Sequence, residues 1–148
     1  MTGHSTNNKI LFLRIFIAII LLTTGAWKAL DVSGFVKVII TYQVFANWVL
    51  YPVALGMIVT ELSLSFWLFS GRQIFWGAFA SLGLHIVFTL WASIALLRGL
   101  DIPNCGCFGV FFARPLDGWT IFEDLVMVAL SALLLVFSQN KNTSLPDL

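Results

Sequence analysis

The hydrophobic positions fall into four long blocks, each near the length at which an apolar helix crosses a bilayer core, about 20 residues. The first runs from Leu11 to about Leu30, with Arg14 and Lys28 near its ends, where long cationic side chains can snorkel. The second covers about Trp48–Ser70, and Pro52 lies in its first turns, where a missing N–H is tolerated. The third, Gln73–Leu97, carries no formal charge. Gly71-Arg72 forms a tight turn between these two, which predicts an antiparallel helical hairpin. The fourth starts after Thr120 and ends near Ser138. Thr120-Ile121-Phe122-Glu123 fits a capping box, and Glu123 and Asp124 suit the positive end of the helix dipole. The first block has a rival reading as a cleaved signal peptide. Lys9 and Arg14 would be its basic region, Ile15–Leu22 its apolar stretch and Thr24-Gly25-Ala26 its cleavage site. The apolar stretch runs on longer than a signal peptide requires, which favours a span.

The connecting segments differ in character. In Asp31 to about Asn47, Phe35, Val38, Ile39 and Tyr42 recur at helical spacing, with Lys37 and Thr41 off that face. This is either a short interfacial helix lying on the membrane or an apolar loop. Residues 98–119 form the longest polar connection and contain Cys105, Gly106, Cys107 and Gly109. Trp27, Trp48 and Trp119 mark span ends on one side, and Trp67 and Trp76 lie towards the other, as in interfacial aromatic belts. Trp91 fits neither belt and is assigned to the interior. The polar tail Gln139–Leu148 is expected to fray.

Composition agrees with this pattern. The hydrophobic set is 59% of 148 residues and charged residues are 10%, against about 25% charged in a soluble domain. This excludes a soluble globule, and the hydrophobicity excludes a disordered chain. The reading is an all-α integral membrane four-helix bundle, a single domain over residues 1–148, in a lipid bilayer. A net charge of +1 leaves no basic stripe for nucleic acid. Four spans put both termini on one side. Lys9, Arg14, Arg72 and Lys141 on that side balance Lys28, Lys37, Arg98 and Arg114 on the other. Lys9 and Arg14, just before the first span, favour cytoplasmic termini and a periplasmic cysteine loop.

Cys105 and Cys107 are the candidate catalytic residues. A disulfide needs Cα atoms within about 4.4–6.8 Å, and a bend at Gly106 makes that reachable at this spacing. Such a bridge closes almost no loop, so it suits electron exchange better than stapling. Arg98 and Arg114 flank the pair, and either would favour a thiolate. Two inert cysteines, or a metal half-site completed by a second copy, are the alternatives. Two cysteines are too few for a complete zinc site, so no metal is assigned.

Glu61 and His85 lie inside spans, where ionisable groups point to function. Counted from the Gly71-Arg72 turn, they lie roughly 14 and 18 Å deep at 1.5 Å per residue. This predicts a Glu61–His85 hydrogen bond or ion pair, serving as a proton relay or binding a quinone head group. The alternative is that each satisfies a buried neighbour, such as a backbone carbonyl, Ser63, Ser65 or Ser81. Lys28 reads as a snorkelling anchor first and a cofactor-binding group second.

Gly25-Ala-Trp-Lys28-Ala-Leu-Asp31, Glu61 and Cys105-Gly-Cys-Phe-Gly109 together resemble MauE-type proteins of the wider DoxX-like group, over about residues 14–137. The opening of the last span departs from the pattern, with Glu123-Asp124 where an Arg-Asp pair is expected. The resemblance implies an inner-membrane four-helix protein of methylamine utilisation. It further implies support for maturation of the disulfide-rich small subunit of methylamine dehydrogenase, alongside a thioredoxin-like periplasmic protein. DoxX-like relatives include a subunit of a thiosulfate:quinone oxidoreductase. Cys105 and Cys107 then match a redox pair, and Glu61 and Lys28 match recurring polar positions. The reading is therefore a membrane thiol–disulfide redox protein, with quinone as its possible cofactor. The alternatives are a non-catalytic scaffold that docks a periplasmic redox protein, using Phe35–Tyr42, and a small transporter that uses Glu61.

Overall fold

The computed structural model describes residues 3–143, with side chains described over 7–139. Five α-helices follow in order: α1 (Gly3–Leu30), α2 (Val32–Thr41), α3 (Leu50–Ser70), α4 (Ile74–Leu97) and α5 (Gly118–Thr143), with a 3-10 turn at Asn47–Val49 before α3. Four of the helices are long and apolar enough to cross a bilayer. They expose large apolar side chains all along their outer faces, among them Phe12, Val59, Phe66 and Leu90. Water would penalise such a surface, and lipid does not. The chain is a multi-pass membrane protein. Residues 139–143 of the expected polar tail continue α5, and the rest of that tail lies outside the described residues.

The bundle is a ring in which α1 packs chiefly on α3, and α4 on α5. The α3–α4 hairpin is present, turned by Gly71 at φ +68°, but these two helices touch each other less than either touches its other neighbour. Small residues let the backbones approach, as bundles in lipid require. Ala54 of α3 and Ala78, Ser81 and Ala92 of α4 are buried. Arg14 reaches across to lie against the Cα of Gly71.

Two apolar clusters fill the interior. One, at the end bearing the termini, gathers Ile17, Leu21, Leu68 and Leu134. The other, at the cysteine-loop end, gathers Phe35, Ile39, Ile58, Ile102 and Leu116. On two of the helices a buried polar residue separates the clusters: Glu61 on α3 and His85 on α4.

Asp31 caps α2, accepting the Gly34 N–H at 2.8 Å. The predicted short helix is thus present, but its apolar face is turned inward. Phe35, Val38, Ile39 and Tyr42 are all buried against the cysteine loop and α3. They cannot form the docking surface expected of them, because the loop already covers them. Trp91 packs against Tyr42 and Phe45, as its place outside the belts suggests. The cap of α5 differs from expectation. Asp117, not Thr120, accepts the free N–H, from Thr120 at 2.9 Å. Glu123 is drawn away to Arg114 and to the Trp119 indole, because a full charge partner outcompetes a cap.

Candidate functional site

The loop between α4 and α5 is built to bring two sulfurs together. Its base is closed by the Leu116 N–H donating to the Ile102 carbonyl at 2.9 Å and the Cys105 N–H to the Arg114 carbonyl at 2.8 Å. Asn104 pins the turn. Its Oδ1 accepts the Gly106 N–H at 2.9 Å and its Nδ2 donates to the Gly109 carbonyl at 3.1 Å. Gly106 bends the chain at φ +78°, a region glycine enters freely. The Cys105 and Cys107 sulfurs then stand 2.7 Å apart as free cysteines sharing a hydrogen bond.

The two thiols are unlike. Cys105 is lowered to about 7, chiefly because the Cys107 thiol hydrogen-bonds to its sulfur, and Arg114 adds positive potential. Cys107 is pushed up, because that hydrogen bond holds its proton and burial disfavours its thiolate. Cys105 therefore carries the anion near neutral pH. The flanking arginines divide their work. Arg114 acts on the sulfurs and forms an ion pair with Glu123. Arg98 instead donates to the Tyr42 carbonyl at 3.1 Å, while the Tyr42 hydroxyl donates to the Cys105 carbonyl at 2.7 Å. Arg98 thus supports the loop from behind.

Gly109, at φ +65°, seats the loop on α1. A Cβ there would lie 3.1 Å from the Trp27 carbonyl oxygen and 3.3 Å from the Lys28 Cα. Gly109→Ala adds left-handed strain of about 1–2 kcal/mol and pushes the loop away from the bundle. The expected result is a lower unfolding midpoint together with slower alkylation of Cys105 at pH 7. An unchanged alkylation rate would show that the sulfur geometry does not depend on this contact.

Directly beneath the loop lies a buried ion pair. Lys28 Nζ donates to Glu61 Oε1 at 2.5 Å, and the two side chains are 3% and 1% exposed. Gly25, one turn earlier on α1, makes the approach possible. A Cβ there would meet the Glu61 Cβ at 3.2 Å and a Leu62 methyl at 3.0 Å. The ammonium sits 5.5 and 5.4 Å from the Phe35 and Phe88 ring centroids, in the range for cation–π attraction. Among the described residues, Glu61 Oε2 accepts no hydrogen bond, and the Thr24 hydroxyl beside the carboxylate is the side chain placed to reach it. The nearby Thr24 hydroxyl donates to the Leu21 carbonyl at 3.2 Å.

This corrects two expectations. Lys28 does not snorkel, because the end of α1 is roofed by α2 and the cysteine loop, leaving Glu61 as its counter-charge. The Glu61–His85 hydrogen bond is not formed either. His85 Nδ1 faces the Ser81 carbonyl at 2.8 Å and the Ser131 hydroxyl at 3.1 Å. A carbonyl one turn back on its own helix holds the ring, so His85 is satisfied within the α4–α5 seam.

A cavity of about 530 Å³ joins these parts, its wall including Lys28, Glu61, His85, Cys105, Cys107 and Asp124. Asp124 is the addition that sequence reasoning missed. Its place in the first turn of α5 suggested only a dipole role. Thr120, Asp124, Met127 and Ser131 recur at helical spacing on the inward face, and that periodicity was the available signal.

The family described as methylamine utilisation protein MauE matches residues 6–137, which take in the four spans, the ion pair and the cysteine loop. The chain belongs to the MauE family. The Paracoccus denitrificans protein described as methylamine utilization protein MauE is 29% identical over 119 residues, covering 80% of this chain. The chain spans 64% of that relative's length. No solved structure matches significantly. In this MauE-family chain, Arg114 of the loop pairs with Glu123 at the opening of α5.

Proposed function

We propose that this chain is a membrane thiol–disulfide redox protein of methylamine utilisation, with Cys105 and Cys107 as its exchanging pair. The observation that carries the reading is the pair itself: two free sulfurs 2.7 Å apart across the bend at Gly106. In the oxidised state, a partner thiolate attacks one sulfur of the bridge. A mixed disulfide forms and the other sulfur leaves as thiolate. A second partner thiol attacks the mixed disulfide. The partner departs as a disulfide, and Cys105 and Cys107 have taken up two electrons and two protons. The partner is a periplasmic thioredoxin-like protein or a disulfide-rich client, the methylamine dehydrogenase small subunit being the client the family points to. The protein then sits in the inner membrane with cytoplasmic termini and a periplasmic cysteine loop.

Resetting the pair requires a two-electron acceptor. The cavity suits a quinone. Its volume lies within the range of small-molecule pockets, about 300–1,000 Å³, and its apolar walls carry an unpartnered carboxylate oxygen. When bound, a quinone supplies the acceptor for two electrons and two protons.

The test is acid trapping of intact cells, followed by labelling with membrane-permeant and impermeant maleimides, with and without prior reduction. The expected result is labelling by the impermeant reagent only after reduction, which marks an outward-facing, reversibly oxidised pair. Cysteines that label without reduction in every growth condition would overturn the redox reading. Labelling by the permeant reagent alone would overturn the orientation.

A further inference from the structure

We infer that the cavity takes a lipid-soluble quinone directly from the bilayer, through a window between α1 and α5, and that Lys28 and Glu61 hold its head group. The inference rests on the thiol–disulfide reading above and adds the route, the site and the role of the ion pair. The window is visible in the packing. The α1–α5 seam is looser than the α1–α3 and α4–α5 seams. Phe16 of α1 and Phe122 and Val126 of α5 line the cavity and are 39%, 53% and 40% exposed. The same side chains thus touch the interior and the lipid. Phe16 and Val126 lie within spans, below the roof made by α2 and the cysteine loop. A ligand that enters there comes from the hydrocarbon, so it is lipid-soluble.

The polar groups inside select its head. Lys28 gives one of its three N–H donors to Glu61, and its ammonium lies between the Phe35 and Phe88 rings. Glu61 Oε2 is an acceptor without a donor, on a side chain 1% exposed. A donor and an acceptor side by side among aromatic rings fit a ring that presents oxygen acceptors when oxidised and hydroxyl donors when reduced. An anionic lipid head group fits worse, because Glu61 already neutralises Lys28. Closing the Cys105–Cys107 bridge from the Cys105 thiolate breaks the Cys107 S–H bond and forms one S–S bond. The two electrons and one proton released, with a second proton from solution, would convert a bound quinone to its hydroquinone. Lys28 would donate to an oxygen of the oxidised ring, and Glu61 Oε2 would accept from a hydroxyl of the reduced one. The ion pair holds the head group in both states.

The test uses the full chain in vesicles of phosphatidylethanolamine and phosphatidylglycerol, with ubiquinone-2 as probe and tryptophan quenching as readout. Saturable quenching is expected. The double variant Lys28→Met/Glu61→Leu keeps the volume and removes both charges, and it should raise Kd at least tenfold while keeping an unfolding midpoint closer to wild type than either single variant. Val126→Trp narrows the window and should slow association at least fivefold. Quenching no greater than partition into empty vesicles, or the same Kd in the double variant, overturns the site. Equal association rates for Val126→Trp overturn the window. Mixed disulfides that still form with a partner while quinone binding fails would sink this inference and leave the exchange reading standing. Saturable binding lost in the double variant, in a protein whose cysteines never oxidise, would support the site and refute exchange.

Discussion

Glu61→Leu and Lys28→Met should each destabilise the protein more than the two together. Each single variant leaves one charge in an interior where no other counter-charge among the described residues is in contact, and breaking a buried pair on one side costs about 3–5 kcal/mol. Replacing both with apolar groups of similar volume is often neutral, because the desolvation penalty leaves with the charges. The sign of the coupling therefore distinguishes a true pair from two separately tolerated groups. The measurement is denaturation of the purified protein in detergent for the wild type, both single variants and the double. The double is expected to recover most of what either single loses. Strictly additive losses would mean that the contact at 2.5 Å carries no mutual energy. The position of the pair makes the effect large. Gly25 brings α1 against α3 at that level, and the cysteine loop rests on the Lys28 backbone through Gly109. Loosening the pair therefore also loosens the floor beneath Cys105.

Much of the fold was legible because lipid imposes few solutions on a chain. Apolar blocks of spanning length must be helices, and the glycine turn after Ser70 forces a hairpin. Partner choice within the bundle was not legible. Depth arithmetic placed Glu61 and His85 at similar levels, but depth says nothing of which way a side chain points around its helix. Lys28 looked peripheral because it closes a span, and only the fold-back of Val32–Thr41 and the cysteine loop turns that end into an interior. The same fold-back reversed the meaning of the apolar face of Phe35 and Ile39. Periodicity announced a buried face but could not say whether lipid or protein covers it. The cysteine pair was readable from its spacing and glycines. The inequality of the two thiols was not, since it arises chiefly from the hydrogen bond that the bend at Gly106 sets between them, with Arg114 adding positive potential from outside the motif.

That inequality predicts which sulfur a partner attacks. Cys105 is the more buried of the two and the better leaving group, since the Cys107 backbone N–H and the Arg114 charge still favour its thiolate when Cys107 is bonded to a partner. Exchange is fastest when the departing sulfur has the lower pKa. A partner thiolate should therefore bond to Cys107 and expel Cys105. A client whose second cysteine is changed to serine cannot complete the exchange, and it should accumulate as a mixed disulfide that mass spectrometry maps to Cys107. A bridge mapped to Cys105 would refute the leaving-group argument. Cys105→Ser and Cys107→Ser should each abolish client oxidation, because neither can form the bridge. In the reduced protein, iodoacetamide reacts with the thiolate, so Cys105 alkylation should fall as pH drops through about 7 and level off above it. Cys107→Ala removes the hydrogen bond that lowers Cys105. The midpoint should then move up towards the ordinary thiol range, about 8.5. A midpoint that stays near 7 in Cys107→Ala would assign the activation to Arg114 alone, and Arg114→Gln would then have to raise it.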